Sequence, residues 1–320
     1  MTATLERPTI TRSLYQVWPK QAQALRLLGL DPTRSQAEPV EELLFGGQAG
    51  GGKSALLRMV GTTICLRWPG AVIPLFRRTY PELEDSHIRW IQQEIPRDIA
   101  TYNQVRHELK FATGSSFLFR HANDDAAVLS YLTAEWAGLL IDQAEQFSPY
   151  QIQLLRTRVR QPVGAFDGSW RPIIAYSANP GGPAHQYLRD GFVEAAPEET
   201  SFIAPQDDGG LRRYYLPARL SDNPSLNATD YRRLLQGLPE HLVKAYMEGD
   251  WSGVVGAYFS HFRARDLEGN KWHVWTEAEV REHYGIASEA PFPPPEWVKW
   301  CGVDGGVRDP WCVIWLTRAP

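Results

Sequence analysis

The sequence is poor in cysteine and contains no long hydrophobic run. Its 320 residues include only three cysteines, and no two of them have the C-x-x-C spacing of zinc sites. Neither a disulfide framework nor a structural zinc site is therefore indicated. No stretch approaches the roughly 18 consecutive apolar residues of a membrane span, and the first residues lack the apolar segment of a signal peptide. We therefore expect a cytoplasmic protein without a membrane partner.

An excess of positive charge is also missing. The chain has 33 lysines and arginines against 37 aspartates and glutamates, which gives a net charge of −4. The protein as a whole therefore does not attract nucleic acid, and any DNA contact must come from a local patch. The hydrophobic content of 43% and the charged content of 22% are typical of a soluble globular protein with one large domain or two.

One glycine-rich segment carries the clearest signal. Residues 47–54 read GQAGGGKS, which matches the P-loop pattern G-x-x-x-x-G-K-[ST]. Glycines let backbone N–H groups approach phosphate oxygens, Lys53 supplies a charge for the β and γ phosphates, and Ser54 offers a hydroxyl to Mg²⁺. The apolar run at 42–45 predicts a strand before the loop, and residues 55–60 predict a helix after it. The predicted nucleotide-binding residues of the loop are Gly47, Gln48, Ala49, Gly50, Gly51, Gly52, Lys53 and Ser54.

Predicted strands and helices alternate along the first two thirds of the chain. This pattern predicts an α/β fold in which a mainly parallel sheet is flanked by helices. We expect a P-loop ATPase core over residues 1–210 and a small helical lid over residues 211–255. Residues 256–296 are predicted to be a linker, which ends in the stiff segment PFPPP at 291–295. Two strands over residues 297–320 would begin a further domain.

A carboxylate follows the apolar strand predicted at residues 136–141. Asp142 lies where α/β sheets place ligand groups, so it is the natural partner for Mg²⁺ bound by Ser54. NTPases of this arrangement usually have Glu directly after the Asp, but here the residue is Gln143. Glutamine cannot accept a proton at neutral pH. Either Glu145, the next carboxylate, is the catalytic residue, or Gln143 is an engineered replacement that traps bound ATP.

Two amide side chains are further candidates for nucleotide contacts. Asn179 lies in the segment SANPGG at 177–182, directly after another predicted strand, and could sense the γ-phosphate. The same residues are also typical of an ordinary Asn-Pro-Gly turn. Gln21, upstream of the P-loop, could read the adenine edge through one donor and one acceptor bond. It could equally belong to the start of a helix.

An arginine finger would complete an ATPase site. Arg77 and Arg78 end a predicted strand and are the candidates for action within one chain. Arg158 and Arg160 follow Asp142 and are the candidates for action on a neighbouring subunit. For any single arginine, a solvated surface position is the alternative interpretation.

Taken together, these motifs resemble those of the large terminase subunit of tailed double-stranded DNA phages. The matching segments occur in the family's order and cover most of residues 15–310. They are FRRTYPEL at 76–83, IDQAEQF at 141–147, LRTRVR at 155–160, SANPGG at 177–182, SDNP at 221–224, and LP at 238–239 with EGDW at 248–251. No single segment after the P-loop is decisive, but the ordered set is specific.

The resemblance implies an ATP-driven motor that packages DNA, followed by a nuclease domain of RNase H-like fold. The implied cofactors are ATP and Mg²⁺. The implied partners are double-stranded DNA, the portal protein, the small terminase subunit and further copies of the chain in a ring on the portal. The implied location is the host cytoplasm, with transient docking at the procapsid portal.

The nuclease of this family holds two metal ions with a cluster of acidic residues. Asp304 matches the first of these residues, and the others are expected well downstream. The resemblance therefore implies a divalent metal at the nuclease site only in a longer protein, and no nuclease activity from these 320 residues.

Two other functions fit part of the sequence. Another P-loop DNA translocase or a helicase would share the loop, although helicase motifs are not found downstream. A nucleotide-binding module deficient in hydrolysis would be consistent with Gln143.

Overall fold

The chain forms two compact units, Met1–Tyr258 and Phe259–Pro320. Within them, the computed structural model describes residues 14–31, 38–162, 165–252, 276–304 and 312–318. None of the helices in these ranges is long and apolar enough to cross a membrane.

The first unit contains a nine-stranded sheet with helices on both faces. Its strands are β1 (Glu42–Gly47), β2 (Val72–Arg77), β3 (Ala100–Asn103), β4 (Glu108–Phe111), β5 (Ser116–His121), β6 (Leu139–Ile141), β7 (Ile174–Ala178), β8 (Ser201–Ile203) and β9 (Arg212–Ala218). Its α-helices are α1 (Pro19–Leu27), α2 (Lys53–Arg67), α3 (Tyr80–Leu83), α4 (Arg89–Glu94), α5 (Asp125–Leu129), α6 (Pro149–Arg156), α7 (His185–Leu188), α8 (Ala228–Leu235) and α9 (Glu240–Val243).

Shorter helical turns join several of these elements. The 3₁₀ turns lie at Ala144–Gln146, Ala165–Gly168, Gln206–Asp208 and Leu220–Asp222. The π turns, in which the helix holds one extra residue, lie at Glu84–Ile88, Arg189–Val193 and Lys244–Glu248.

Parallel strands form the centre of the large sheet. The strand order is β3-β4-β5-β2-β6-β7-β1-β9-β8. All pairs from β5 to β9 in this order are parallel, and β3, β4 and β8 add antiparallel pairs at the two edges. The predicted α/β class with a mainly parallel sheet is therefore confirmed. Parallel strands end at the same edge, so the segments after β1, β2, β6 and β7 converge there.

The central strands are apolar along their length because helices cover both faces. Every residue of β1 and β7 is buried. Successive residues of a strand point to opposite faces, and accordingly Leu43 joins one core cluster while Leu44 joins the other. Helix α2 contributes Leu57 and Val60 to the first cluster, and α6 contributes Ile152 to the second. The two cores hold the carboxyl edge of the sheet in place.

The helical lid predicted over residues 211–255 is wrong in its first part. Residues 212–218 form β9, which pairs in parallel with β1 in the register Glu42↔Arg213. Apolar and aromatic residues there suit a buried strand, but the pairing joins distant parts of the chain and leaves no local pattern. The helical part begins only at Leu220.

The second unit contains a helix and a strand pair in its described residues. Helix α10 (Glu277–Tyr284) lies inside the predicted linker, whose first residues up to 275 lie outside the described ranges. The helix forms because Thr276 and Glu279 cap each other's backbone N–H groups, at 3.4 and 2.7 Å. Strands β10 (Val298–Asp304) and β11 (Cys312–Arg318) lie where two strands were predicted, and they pair in antiparallel.

Candidate functional site

The carboxyl ends of β1, β6 and β7 bring most of the predicted nucleotide-binding residues together. Strand β1 leads into the P-loop, β6 into Asp142, and β7 into Asn179. Lys53 Nζ lies 2.8 Å from Asn179 Oδ1, and Ser54 Oγ lies 3.1 Å from Asp142 Oδ2. Three separate segments of the chain therefore meet in one hydrogen-bonded site.

The P-loop has the backbone conformation that its glycines were predicted to permit. Gly52, with φ of 77°, occupies the left-handed position directly before α2, where only glycine is free of strain. Gly50 also has a positive φ, and a Cβ atom there would lie 2.8 Å from Leu220. The loop thus places backbone N–H groups at the N-terminus of α2, which is a site for an anion.

Lys53 spans this site from the start of α2. Its ammonium donates to the Gln48 carbonyl as well as to Asn179. Loss of solvent lowers the pKa of Lys53, while the negative charges of Glu145 and Asp142 oppose this effect. The charge is thus held close to two carboxylates.

Asp142 is buried at the end of β6 and accepts several hydrogen bonds. Ser177 Oγ donates to Oδ1, whereas Arg77 and His87 both contact Oδ2, at 2.7 and 2.8 Å. Burial would raise the pKa of Asp142, but His87 and Arg77 outweigh this effect and hold the pKa well below its usual range. Asp142 is therefore an ionised carboxylate with a fixed orientation.

Ser54 and Asp142 fit a magnesium site. A hydroxyl and a carboxylate are the hard oxygen ligands that Mg²⁺ prefers, and they touch at the N-terminus of α2, beside Lys53. The arrangement also contains an unsatisfied acceptor, because Glu145 Oε2 is buried and has no hydrogen-bond partner among the described residues. A water molecule or another donor at this position would satisfy it.

Glu145 points toward Lys53 and Asn179. Its Oε1 accepts a long hydrogen bond of 3.4 Å from Asn179 Nδ2, and the side chain is 7% exposed. Burial raises the pKa of Glu145 above its ordinary value, although the charge of Lys53 acts in the opposite direction. A carboxylate with increased proton affinity beside the P-loop lysine suits a general base.

Gln143 is oriented differently. Its φ of 53° is unusual for a residue other than glycine, and it precedes the 3₁₀ turn Ala144–Gln146. Its backbone N–H donates to Ser177 Oγ at 3.1 Å, and its side-chain oxygen accepts from Gln146 at 2.6 Å. The Gln143 amide is thus engaged within its own turn.

The two predicted arginines at the end of β2 are both engaged. Arg77 is buried, forms the ion pair with Asp142 and also lies 3.7 Å from Glu82. Arg78 is half-buried and donates to the carbonyl of Gln146. Arg77 therefore supports the carboxylate of Asp142, whereas Arg78 lies beside the turn that follows it.

The other two predicted arginines lie away from this edge of the sheet. Trp136, which precedes β6, bonds to the backbone of Arg158 and Arg160 at 3.0 and 3.2 Å. Asp142 comes six residues after Trp136, so about 20 Å of extended chain separates the two ends. The geometry does not bring Arg158 or Arg160 to the site of their own chain.

Gln21 lies behind the P-loop, where it is 3% exposed. Its Nε2 donates to the Gly52 carbonyl at 3.2 Å, and its Oε1 accepts from Trp18 N at 3.0 Å. Both amide atoms therefore have protein partners that steady the loop. Recognition of adenine by Gln21 stays a prediction.

Residues 219–250 cover the other side of the P-loop. Leu220 N donates to Gln48 Oε1 at 2.8 Å, and Asn223 Nδ2 donates to the Gly50 carbonyl at 2.7 Å. Ala49 N donates to the Tyr246 carbonyl at 2.8 Å. Sequence reasoning missed these contacts with the loop, although SDNP at 221–224 was among the matching segments.

His87 is another residue that sequence reasoning missed, because a histidine inside a helix belongs to no nucleotide-binding motif. Asp304, the predicted nuclease residue, ends β10 opposite Cys312, and its side chain lies outside the described part of the structure.

The fold and the site define an α/β protein with a P-loop. Sequence comparison gives no match to a family model and none to a curated protein. Comparison with solved structures finds large terminases of tailed phages. The large terminase of the thermophilic bacteriophage D6E in complex with ADP has a TM-score of 0.58 and 14% identity, with 94% of this chain and 65% of that chain covered.

Two further structures give the same result. The D6E protein in complex with ATP-γ-S has a TM-score of 0.55 and 14% identity, with 74% of this chain and 53% of that chain covered. An ATPase domain of the Thermus phage P74-26 large terminase has a TM-score of 0.50 and 14% identity, with 77% of this chain and 99% of that chain covered. The chain thus spans 53–65% of the D6E protein. The predicted resemblance to large terminases is confirmed at the level of the fold.

Proposed function

We propose that this protein is an ATPase that drives double-stranded DNA into a phage procapsid. The observation that carries the proposal is the contact of Lys53, Ser54, Asp142, Glu145 and Asn179 at the carboxyl edge of the sheet. The fold supports it, since the D6E large terminase of similar fold was solved with ADP and with ATP-γ-S.

In this proposal, each residue has one task. Backbone N–H groups of the P-loop and the Lys53 ammonium hold the phosphates of ATP. Ser54 and Asp142 hold Mg²⁺, which when bound neutralises charge on the β and γ phosphates. Asn179 contacts both Lys53 and Glu145, so it lies where loss of the γ-phosphate would change its partners.

Glu145 is proposed to orient the attacking water and accept its proton. It is buried, has one oxygen without a partner among the described residues, and lies beside Asn179. Gln143 is the second candidate, since a glutamate there would directly follow Asp142. The Gln143 side chain is bonded to Gln146, which favours Glu145.

The helical segment after β9 is proposed to couple ATP hydrolysis to DNA movement. It touches the P-loop through Asn223 and Tyr246. Trp251, which follows this segment, stacks on His185 with 5.5 Å between ring centroids. His185 Nδ1 in turn accepts from Gly181 N at 2.9 Å, two residues after Asn179. A change at the γ-phosphate therefore has two routes to this segment.

The resemblance to terminases supplies the proposed partners. They are double-stranded DNA, the portal protein, the small terminase subunit and further copies of this chain in a ring. The proposed location is the host cytoplasm, with transient docking at the procapsid portal. Cleavage of DNA by a metal-dependent nuclease is proposed only for a protein that adds further carboxylates to Asp304.

Replacing Lys53 by alanine should nearly abolish hydrolysis. We expect kcat to fall by about 10²–10³-fold, the magnitude for removal of one preorganised donor to transition-state charge. Steady-state ATPase measurements would check this, with Lys299→Ala as a control at an exposed lysine of β10. Unchanged kcat and KM in Lys53→Ala would contradict the assignment of the site.

The activity should also depend on pH through Glu145. A base acts only when it is deprotonated, and burial raises the pKa of Glu145 above its ordinary value of 4.5. We expect kcat/KM for ATP to fall on acidification at a higher pH than an ordinary glutamate would give. In Glu145→Gln the residual rate should lack this acid limb. A limb that persists in the variant would assign the titration to another group.

The motor function requires a separate test. Rings assembled on the portal should displace a triplex-forming oligonucleotide from duplex DNA only when ATP is present. ATP binding without turnover by such rings would favour the nucleotide-binding module. Strand separation of a tailed duplex in place of displacement would favour a helicase.

A further inference from the structure

His87 contacts the carboxylate of Asp142, although His87 belongs to none of the predicted motifs. Its side chain is fully buried, and Nε2 lies 2.8 Å from Asp142 Oδ2. Burial lowers the pKa of His87, while the charge of Asp142 acts in the opposite direction. Since the carboxylate can only accept, Nε2 carries the hydrogen and donates it.

A π turn aims this imidazole. His87 lies in the π turn Glu84–Ile88, between α3 and α4. Such turns insert one extra residue into a helix, change the direction of the side chains and are frequent at functional sites. The insertion leaves His87 Nδ1 buried and without a hydrogen-bond partner in the described part of the chain. A buried polar nitrogen without a partner is unfavourable. The hydrogen bond that this placement gives in return is the one between Nε2 and Asp142.

The helix that follows the P-loop, α2, also contacts this π turn. Arg58 donates to the Ser86 carbonyl at 2.9 Å and forms a two-pronged contact with Glu94 at 2.7 and 2.9 Å. Arg58 lies on α2, four residues after Ser54. The position of His87 is thus tied to the helix that carries the proposed magnesium ligand.

Four side chains share the acceptor positions of Asp142. A carboxylate has about four acceptor positions. Arg77 and His87 use two positions on Oδ2, and Ser177 uses one on Oδ1. The remaining position accepts from Ser54, whose Oγ lies 3.2 Å from Oδ1 and 3.1 Å from Oδ2.

We propose that His87 is a positioning residue, which holds Asp142 so that the acceptor position that contacts Ser54 Oγ faces the magnesium site. This inference rests on the proposed function, because it concerns the metal that accompanies ATP. His87 touches neither nucleotide nor metal and acts only through the orientation of Asp142.

The test compares two substitutions that differ in one property. His87→Leu removes the donor and keeps an apolar side chain in the buried position. His87→Gln keeps an N–H donor at similar reach. Binding of a fluorescent ATP analogue is measured in EDTA and then during titration with MgCl₂. His121→Leu serves as the control at an exposed histidine.

We expect His87→Leu to need about 10–100-fold more Mg²⁺ for half-maximal enhancement of binding, the range for loss of a partner that orients a metal ligand. Binding in EDTA should change less than twofold, and His87→Gln should restore most of the Mg²⁺ dependence. Should His87→Leu fail to fold, the Mg²⁺ dependence of His87→Gln alone decides, and it must lie within about threefold of the unchanged protein.

Other results would overturn the proposal. They are an unchanged Mg²⁺ requirement in folded His87→Leu, equal defects in the leucine and glutamine variants, or loss of binding in EDTA as well. If the unchanged protein does not bind the ATP analogue at all, the proposed function itself fails, and the two failures are thus distinguishable.

Discussion

Glu145→Gln should lower kcat for ATP hydrolysis by about 10²–10⁴-fold, the range for loss of a general base. Glutamine keeps the size and hydrogen bonds of glutamate but cannot accept the proton of the attacking water. Glu145 is buried beside Asn179 and Lys53, where burial raises the pKa of the carboxyl. ATP affinity should remain within a few fold, because the P-loop contacts are unchanged. Single-turnover hydrolysis and equilibrium nucleotide binding would separate the two effects.

Gln143→Glu is the matched variant for this experiment. Gln143 bonds to Gln146 within its own turn, so we expect a glutamate there to change kcat by less than about threefold. The opposite pattern would contradict our assignment. If Gln143→Glu raises turnover strongly while Glu145→Gln has little effect, the base belongs at position 143.

The choice between these two residues shows what the sequence could not supply. The sequence pattern placed a carboxylate after β6, and Asp142 lies there because an apolar strand ends where the sheet meets its ligand. Which of the next side chains faces the phosphates depends on the φ of 53° at Gln143 and on the 3₁₀ turn that follows. A positive φ at glutamine has no local sequence signal.

Long-range contacts set the other limits of prediction. The P-loop, with Lys53 and Ser54, could be read from spacing alone, because its chemistry requires fixed residue types at fixed positions. His87 reaches Asp142 only because a π turn redirects it. Strand β9 joins the sheet through pairing with β1, far away in the sequence. Neither contact leaves a periodic pattern near the residues concerned.

Arg160 is the residue that we expect to act as an arginine finger on a neighbouring subunit. Its guanidinium is 50% exposed, and within the described residues its ion pair is with Glu135 at 3.3 Å, which is 60% exposed. Such a surface pair contributes about 0–1 kcal/mol, so the arginine is free to contact another molecule. Arg158 is less available, since it bonds to Thr157 at 2.9 Å and to the Leu132 carbonyl.

The arginines at the end of β2 are weaker candidates. The guanidinium of Arg77 is already bonded to Asp142 at 2.7 Å. Breaking a buried ion pair of this kind costs about 3–5 kcal/mol, so Arg77→Ala would mainly test the stability of the site. Arg78 bonds to the Gln146 carbonyl, in the turn that follows Asp142, and stays the candidate for action within one chain.

Arg160→Ala should therefore lower kcat by about 10³–10⁵-fold in assembled rings, which is the effect of losing an arginine finger. Isolated chains should hydrolyse ATP at the same low rate with and without the substitution, since the arginine of one chain serves the site of the next.

Mixed rings provide the decisive measurement. Arg160→Ala chains retain an intact nucleotide site, and Glu145→Gln chains retain an intact arginine. Combining these two inactive chains should restore turnover at the interfaces where both intact partners meet. The exposed Arg97 supplies the control substitution. Full activity of Arg160→Ala rings together with inactive Arg78→Ala rings would place the finger within the chain.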